Sequence, residues 1–311
     1  MSLHSLWQWG TAELAAAGLE DSRWQAELLL RGIVEVTRAK FMTYPELQVT
    51  HLDTERFRDA IRRRSLGMPV QYILGKQEFY GREFIVTPDV LIPRPETEVL
   101  VEEVLSKMLP LCRGTTVSCP YTKASGSQFP DRLRLLDLCT GSGCIGLTLA
   151  AELPQARVVA TDISLQALGV AKQNAHKVGV ANRVEFKQGD LCSALQGDIF
   201  DVIVSNPPYI ETAAIPTLSR DVQNEPIGAL DGGADGLEFY RRIADGLGQH
   251  LAPGGLVAVE IGHGQGQDVM QLFAQAGLID ITLILDLAGK ERVVMGKMPK
   301  AEGACTFPVS V

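Results

Sequence analysis

The chain has 311 residues, 46% of them hydrophobic and 21% charged, with a formal net charge of −8. That balance fits a globular chain of about two domains and excludes wholesale disorder, and no apolar run approaches the roughly 18 residues of a membrane span. Residues 1–85 carry 11 basic and 11 acidic side chains, so the acidic excess lies wholly in 86–311; the cationic surface of a duplex binder is absent overall, and direct nucleic-acid binding is not expected.

The first residues, MSLHSLWQWG, lack the basic and long apolar regions of a signal peptide, so a cytoplasmic location is expected. From there to residue 78 the spacing predicts helices. Trp24, Leu28, Leu29, Leu30, Ile33 and Val34 fall on one helical face, with Asp21 or Ser22 as cap. A second helix is expected over Glu55–Ser65, capped by Asp53, with Phe57 and Ile61 one turn apart. Arg62, Arg63 and Arg64 read as its solvated last turn, and Gly67 as its stop.

Phe84–Val86 and Val90–Ile92 flank a Thr-Pro-Asp turn, which predicts a β-hairpin, and Glu96–Leu109 returns to helical spacing. Residues 112–131 are rich in Gly, Ser, Thr, Pro and Lys without a period and read as a loop. The expected division is a helical domain over 1–78, a hairpin-and-helix linker over 79–110, and a third unit over 111–311. In that unit strands at 133–138, 158–161, 184–187, 201–205, 256–261, 279–285 and 292–295 alternate with helices. The pattern predicts an α/β fold with a doubly wound, mostly parallel sheet, whose ligand crevice lies beyond the carboxyl ends of the strands. The six cysteines form no CxxC pair and have no histidine cluster beside them, so no metal is expected.

Three segments carry chemistry. Asp137-Leu-Cys-Thr-Gly-Ser-Gly-Cys-Ile-Gly146 follows the first strand of the sheet and opens a helix; Gly141, Gly143 and Gly146 satisfy GxGxxG, a weak signal alone. Asp162 ends the next strand, where a carboxylate accepts both hydroxyls of a ribose, as in nicotinamide and S-adenosylmethionine (SAM) enzymes. Asp190 follows the third strand and could receive an adenine amino group, with Leu191 beside the base. The third segment, Asn206-Pro-Pro-Tyr209, follows the fourth strand. Its two prolines stiffen the chain and remove two donors, leaving the Asn206 side-chain oxygen and the Pro207 carbonyl as acceptors for a planar NH2 group. Tyr209 could lay its ring against a planar amide or base.

The tetrapeptide resembles the motif of amino-directed SAM-dependent methyltransferases. With Pro69-Val-Gln-Tyr-Ile-Leu-Gly75, Leu91-Ile-Pro-Arg-Pro-Glu-Thr-Glu98, Asp137-Leu-Cys-Thr-Gly-Ser-Gly143, Asp231-Gly-Gly-Ala-Asp-Gly-Leu237 and Asp286-Leu-Ala-Gly-Lys-Glu-Arg-Val-Val294, residues 65–300 resemble the HemK/PrmC family of release factor glutamine N5-methyltransferases. The resemblance implies a Rossmann-like class I methyltransferase sheet of seven strands, the last antiparallel, with a small helical N-terminal domain that docks the substrate. It implies SAM as cofactor, S-adenosyl-L-homocysteine as product, and class I peptide-chain release factors as partners of a monomeric enzyme. Cys139, Thr140, Gly141, Ser142, Gly143, Asp162, Asp190 or Leu191, and Asn206 would contact SAM. Asn206, Pro207, Pro208 and Tyr209 would hold the glutamine of a Gly-Gly-Gln loop, with Asn206, Pro207 and Tyr209 catalytic. Cys139 stands where the family more often has glycine, and the 112–131 loop is longer than the family needs.

An amide nitrogen is a poor nucleophile, so the expected catalysis is positioning by Asn206 and the Pro207 carbonyl; no segment supplies a strong general base. The same tetrapeptide would also suit a DNA or RNA amino-methyltransferase acting on adenine or cytosine. A nicotinamide oxidoreductase would leave the Pro-Pro loop idle. A non-enzymatic adaptor would not need Gly141, Gly143, Asp162 and Asn206 together. Arg94, Glu96 and Glu98 either brace the pocket mouth or form surface salt bridges.

Overall fold

Residues 1–109 and 133–300 are described by the computed structural model; the loop read at 112–131 lies outside them. The chain opens with five helices: α1 (Leu3–Ala16), α2 (Ser22–Val34), α3 (Arg38–Thr43), α4 (His51–Ser65) and α5 (Val70–Leu74). Leu6, Leu14, Leu29, Leu30, Phe57 and Ile61 form their shared core. Gly10 lets α1 close on α4, since a Cβ there would stand 2.6 Å from the Phe57 ring.

Three expectations for this region need correction. Trp24 is 55% exposed; Leu29 and Leu30 of the expected face are buried, with Leu28, Ile33 and Val34 packed against the core, and Ala26 and Glu27 are buried beside them. Helix α4 begins four residues earlier than expected because Thr50, not Asp53, is its cap; the Thr50 hydroxyl accepts the Asp53 N–H at 3.1 Å. Arg64 is not solvated. It is 2% exposed and donates two hydrogen bonds, of 2.7 and 2.8 Å, to Asp221, with further bonds to Gln25 and the Met68 carbonyl.

The hairpin also sits earlier than expected, as β1 (Lys76–Phe79) against β2 (Arg82–Ile85). Its two-residue turn, Tyr80-Gly81, has positive φ at both positions, the geometry that matches strand twist. Thr87-Pro-Asp89 closes only a local turn, and Val86, Val90 and Ile92 plug a small core with Tyr72.

After α6 (Glu98–Met108) the chain alternates: β3 (Leu133–Leu138), α7 (Cys144–Glu152), β4 (Ala156–Asp162), α8 (Leu165–Val178), β5 (Val184–Gln188) and β6 (Phe200–Ser205). A short α9 (Arg220–Gln223) precedes α10 (Glu238–His250), β7 (Leu251–Glu260), α11 (Gly266–Gln275), β8 (Ile279–Leu285) and β9 (Glu291–Lys297). The seven-stranded sheet runs β5-β4-β3-β6-β7-β9-β8, and β9 is antiparallel to both neighbours, as the resemblance implied. Alternate residues face opposite sides. Leu135, Val158 and Val202 pack with α6 and α7, whereas Leu136, Ile203 and Val257 pack with α10 and α11.

The pairing fixes one level across the sheet. Leu138 is level with Thr161 on β4 and Ser205 on β6, and Ser205 with Val259 on β7. One residue beyond these stand Cys139, Asp162, Asn206 and Glu260, together at the carboxyl edge. The connections reverse direction between β3 and β6, so this edge is the switch point where such sheets take ligands. No helix among the described residues is long and apolar enough to cross a membrane.

Asn174, fully buried on α8, joins the hairpin to the sheet. Its oxygen accepts the Ile85 N–H at 2.7 Å, and its amide donates to the Ile85 and Ser142 carbonyls at 2.9 Å each. Asn174→Leu leaves these backbone groups unpaired, and each unpaired buried group costs about 1–3 kcal/mol. Urea denaturation is expected to report a loss of at least about 2 kcal/mol.

Candidate active site

The carboxyl edge of β3–β7 opens into a cavity of about 450 Å³, within the range of small-molecule sites. Of the residues expected to bind cofactor or substrate, Cys139, Thr140, Gly141, Ser142, Asp162, Asp190, Leu191, Asn206 and Pro208 line it. Gly143, Pro207 and Tyr209 do not. Gly143 is the cap of α7 at φ 83, Pro207 is buried, and Tyr209 stands behind the wall.

The glycine-rich turn is built by hydrogen bonds to two carboxylates. Asp162 accepts the Gly141 and Ser164 N–H groups at 2.9 Å each, which holds its side chain at the cavity wall. Burial raises its pKa, opposed by those same backbone bonds. Asp137 lies below the turn, fully buried, and accepts the Thr140 hydroxyl at 2.6 Å and the Gly146 N–H at 3.0 Å through one oxygen. Its other oxygen is buried without a partner among the described residues. Burial pushes the Asp137 carboxyl up to about 7. Gly141, at φ 54, has open space where a side chain would stand; Gly146 instead packs, for a Cβ there would meet Asp137 Oδ2 at 2.7 Å. Cys139 adopts φ 57, a left-handed conformation suited to glycine, and burial pushes its thiol pKa upward, so it remains protonated.

Asp190 reaches the cavity but is not free. Arg242 pairs with it at 2.6 Å while lying over the Phe239 ring. Asn206 donates one amide hydrogen to the Thr97 hydroxyl at 3.4 Å, and among the described residues its side-chain oxygen accepts no hydrogen bond. Arg94 braces the mouth: it lines the cavity and pairs with Glu225, whose buried carboxylate also accepts the Ile92 N–H at 3.0 Å. Glu98 accepts the Tyr80 N–H at 2.8 Å and so fixes the hairpin turn.

The PrmC N-terminal domain family matches residues 5–75, and the methyltransferase small domain family matches residues 126–225. A release factor glutamine methyltransferase of Moorella thermoacetica is 46% identical over 280 residues, covering 90% of this chain and 92% of the relative. One from Koribacter versatilis is 40% identical, covering 96% of this chain and 99% of the relative. The crystal structure of a protein-(glutamine-N5) methyltransferase (release factor-specific) from Alicyclobacillus acidocaldarius is 30% identical, covers 70% of this chain and 99% of that chain, and has a TM-score of 0.39. The chain belongs to the release factor glutamine methyltransferases.

The features shared with that family also have structural work. Asp231-Gly-Gly packs directly under the tetrapeptide: a Cβ on Gly232 would meet the Tyr209 Cα at 2.7 Å, so only glycine permits this approach. Gln265 donates to the Tyr209 carbonyl at 3.0 Å while accepting the Gly262 N–H. The Tyr209 hydroxyl donates to Glu260 at 3.4 Å, and burial with that carboxylate pushes its pKa upward. Thr97, Glu225, Gln265 and Glu260 were not among the residues expected from sequence. Thr97 lies in the Leu91–Glu98 segment that carries the resemblance and Glu260 ends a strand of the sheet, whereas Glu225 and Gln265 had no such signal.

Two tests follow from this geometry. Gly146→Ala forces Asp137 off α7 and is expected to cost about 1–3 kcal/mol by overpacking, read from urea denaturation. Asp137 has its pKa raised by folding, so its contribution to stability is present at pH below about 4 and is lost as pH rises through about 7. Wild type is therefore expected to lose stability relative to Asp137→Asn between pH 4.5 and 8; a constant difference across that range defeats the assignment.

Proposed function

We propose that the chain transfers a methyl group from SAM to the N5 amide nitrogen of the glutamine in the Gly-Gly-Gln motif of class I peptide-chain release factors, releasing S-adenosyl-L-homocysteine. The observation that carries this reading is the state of Asn206. Asn206 lines the cavity, one of its N–H groups is held by Thr97, and its side-chain oxygen, which accepts from no described residue, is available to accept a hydrogen from a carboxamide.

The lining fits the cofactor. Asp162 keeps lone pairs for two vicinal hydroxyls, and Ile163, Leu191 and Phe239 supply apolar surface for a base. Gly141 leaves room beside the turn. When bound, SAM supplies an electrophilic methyl and a neutral thioether leaving group. Asn206 and the Pro207 carbonyl accept the two amide hydrogens of the glutamine and turn its nitrogen lone pair toward that methyl; the N–C bond forms as the S–C bond breaks, and one amide proton passes to solvent. Such positioning is worth several kcal/mol, up to roughly 7–11 in ideal systems. Tyr209 acts from behind, holding the backbone of the tetrapeptide, rather than as a stacking surface.

We assign residues 1–78 to docking of the release factor, 79–110 to the linker and 111–311 to methyl transfer, in a cytoplasmic monomer. Asn206→Ala is expected to lower kcat at least about 100-fold while SAM affinity changes by less than about threefold. The measurement is transfer of labelled methyl to purified release factor, with the modified residue located by peptide mass. Near-normal transfer by the variant, or transfer by wild type to DNA or RNA but not to release factor, overturns the reading.

A further inference from the structure

We propose that Gln265, itself held by Glu291, is a positioning residue that fixes the carboxyl end of the Asn206–Tyr209 tetrapeptide and so sets the two acceptors that grip the glutamine. The inference rests on the role given to the tetrapeptide above, and it gives a task to the Asp286–Val294 segment, which the site does not otherwise use.

The tetrapeptide is anchored differently at its two ends. Its amino end continues β6, where Ser205 is level with Leu138 and Val259 and its hydroxyl donates to the Leu138 carbonyl at 2.9 Å. Proline rings then fix φ at Pro207 and Pro208, yet ψ stays soft. The direction of the Pro207 carbonyl therefore depends on where the chain is held next. Among the described residues, the first backbone hydrogen bond after the prolines is at the Tyr209 carbonyl, which accepts from the Gln265 amide at 3.0 Å. Beyond it, Ile210 pairs through its backbone with Leu230 and Gly232.

The Gln265 carboxamide suits this task because it has two hydrogens to give and one oxygen to accept with. One hydrogen goes to the Tyr209 carbonyl and the other to the Gly236 carbonyl at 3.3 Å, while the oxygen accepts the Gly262 N–H at 2.9 Å. Carbonyls only accept and an N–H only donates, so each partner admits one polarity and the amide cannot flip. Gly236 comes so close that a Cβ there would stand 2.6 Å from Gln265 Nε2. The segments after β6, before α10 and after β7 thus meet on one side chain.

Glu291 fixes the backbone that carries this amide. One oxygen of its carboxylate accepts the N–H groups of Gly264 and Gly266, on either side of Gln265, at 3.0 Å each. Glu291 opens β9, and Asp286 shapes the turn before it by accepting the Ala288 and Lys290 N–H groups at 2.9 and 3.0 Å. A chain of hydrogen bonds therefore runs from the 286–294 segment through Gln265 to the tetrapeptide. Neither Gln265 nor Glu291 lines the cavity, so both act on the placement of the acceptors and not on cofactor contact.

The test is steady-state methylation of release factor with labelled SAM, beside direct titration of SAM binding. Gln265→Glu keeps the shape and the acceptor but brings no hydrogen to the two carbonyls. It is expected to lower kcat at least about tenfold, since a displacement of about 1 Å can cost on the order of 100-fold, with SAM affinity within about threefold of wild type. Glu291→Leu is expected to lower kcat in the same way, whereas Glu291→Gln keeps an acceptor oxygen and is expected to restore it. Combining Gln265→Glu with Glu291→Leu is expected to cost no more than Gln265→Glu alone, because both act through one bond. Wild-type kcat in Gln265→Glu, losses that multiply in the double variant, SAM affinity that falls in step with kcat, or equal losses in Glu291→Leu and Glu291→Gln overturns the proposal. If Gln265→Glu fails to fold, the Glu291→Leu and Glu291→Gln pair decides alone. Full activity in Asn206→Ala would sink the underlying site reading instead, so the two failures are told apart.

Discussion

Parallel pairing of β3 with β4 and β6 is the constraint on which the site depends. It sets Leu138, Thr161 and Ser205 at one level, and the Ser205 hydroxyl adds a bond to the Leu138 carbonyl at 2.9 Å. Each strand then ends on a different chemical group: a thiol, a carboxylate, a carboxamide and, on β7, a second carboxylate. A shift of one strand by one residue would turn its terminal side chain to the other face of the sheet. The packing of Leu135 and Leu136 on opposite faces resists that shift, so the hydrophobic layers hold the polar edge in place.

Burial then divides the acidic groups by task. Asp162 is satisfied by backbone donors at the cavity wall, whereas Asp137 and Glu260 each keep one unpartnered buried oxygen. Burying such an atom costs free energy, which neighbouring contacts must offset. Asp137 has the Thr140 hydroxyl and the Gly146 N–H, and Glu260 the Tyr209 hydroxyl. The glycines serve a different end. Gly141 makes room, while Gly146 and Gly232 permit contact, and only the first kind faces the cavity.

The central strands after residue 132 were legible because their apolar runs are buried on both faces, as in β3, β4, β6 and β7. The glycine-rich turn, Asp162 and Asn206 were legible for the same reason, as strand ends in a known kind of sheet. The helical region was read less well. Trp24 looks apolar in sequence like the rest of its face, yet the partner helices cover Leu29 and Leu30 and leave Trp24 exposed, and only tertiary packing decides that. Arg64 looked solvated because its partner, Asp221, lies 157 positions away. The hairpin was displaced because Thr-Pro-Asp is the stronger turn signal by composition, but Tyr80-Gly81 has the backbone twist that strands need. Glu260 carries no motif of its own; it was illegible because its contact with Tyr209 joins residues 51 positions apart.

The segment 220–225 contacts three parts of the molecule within six residues. Asp221 receives Arg64, Asn224 donates to the Gly67 carbonyl at 3.1 Å, and Glu225 holds Ile92 and Arg94. The amino-terminal helices and the rim of the cleft thus share one short splint. Melting either end would strip the other of its anchor, so the two halves unfold as partners rather than as beads on a string. Evolution of a new docking face among those helices is therefore constrained by geometry at the opposite end of the splint.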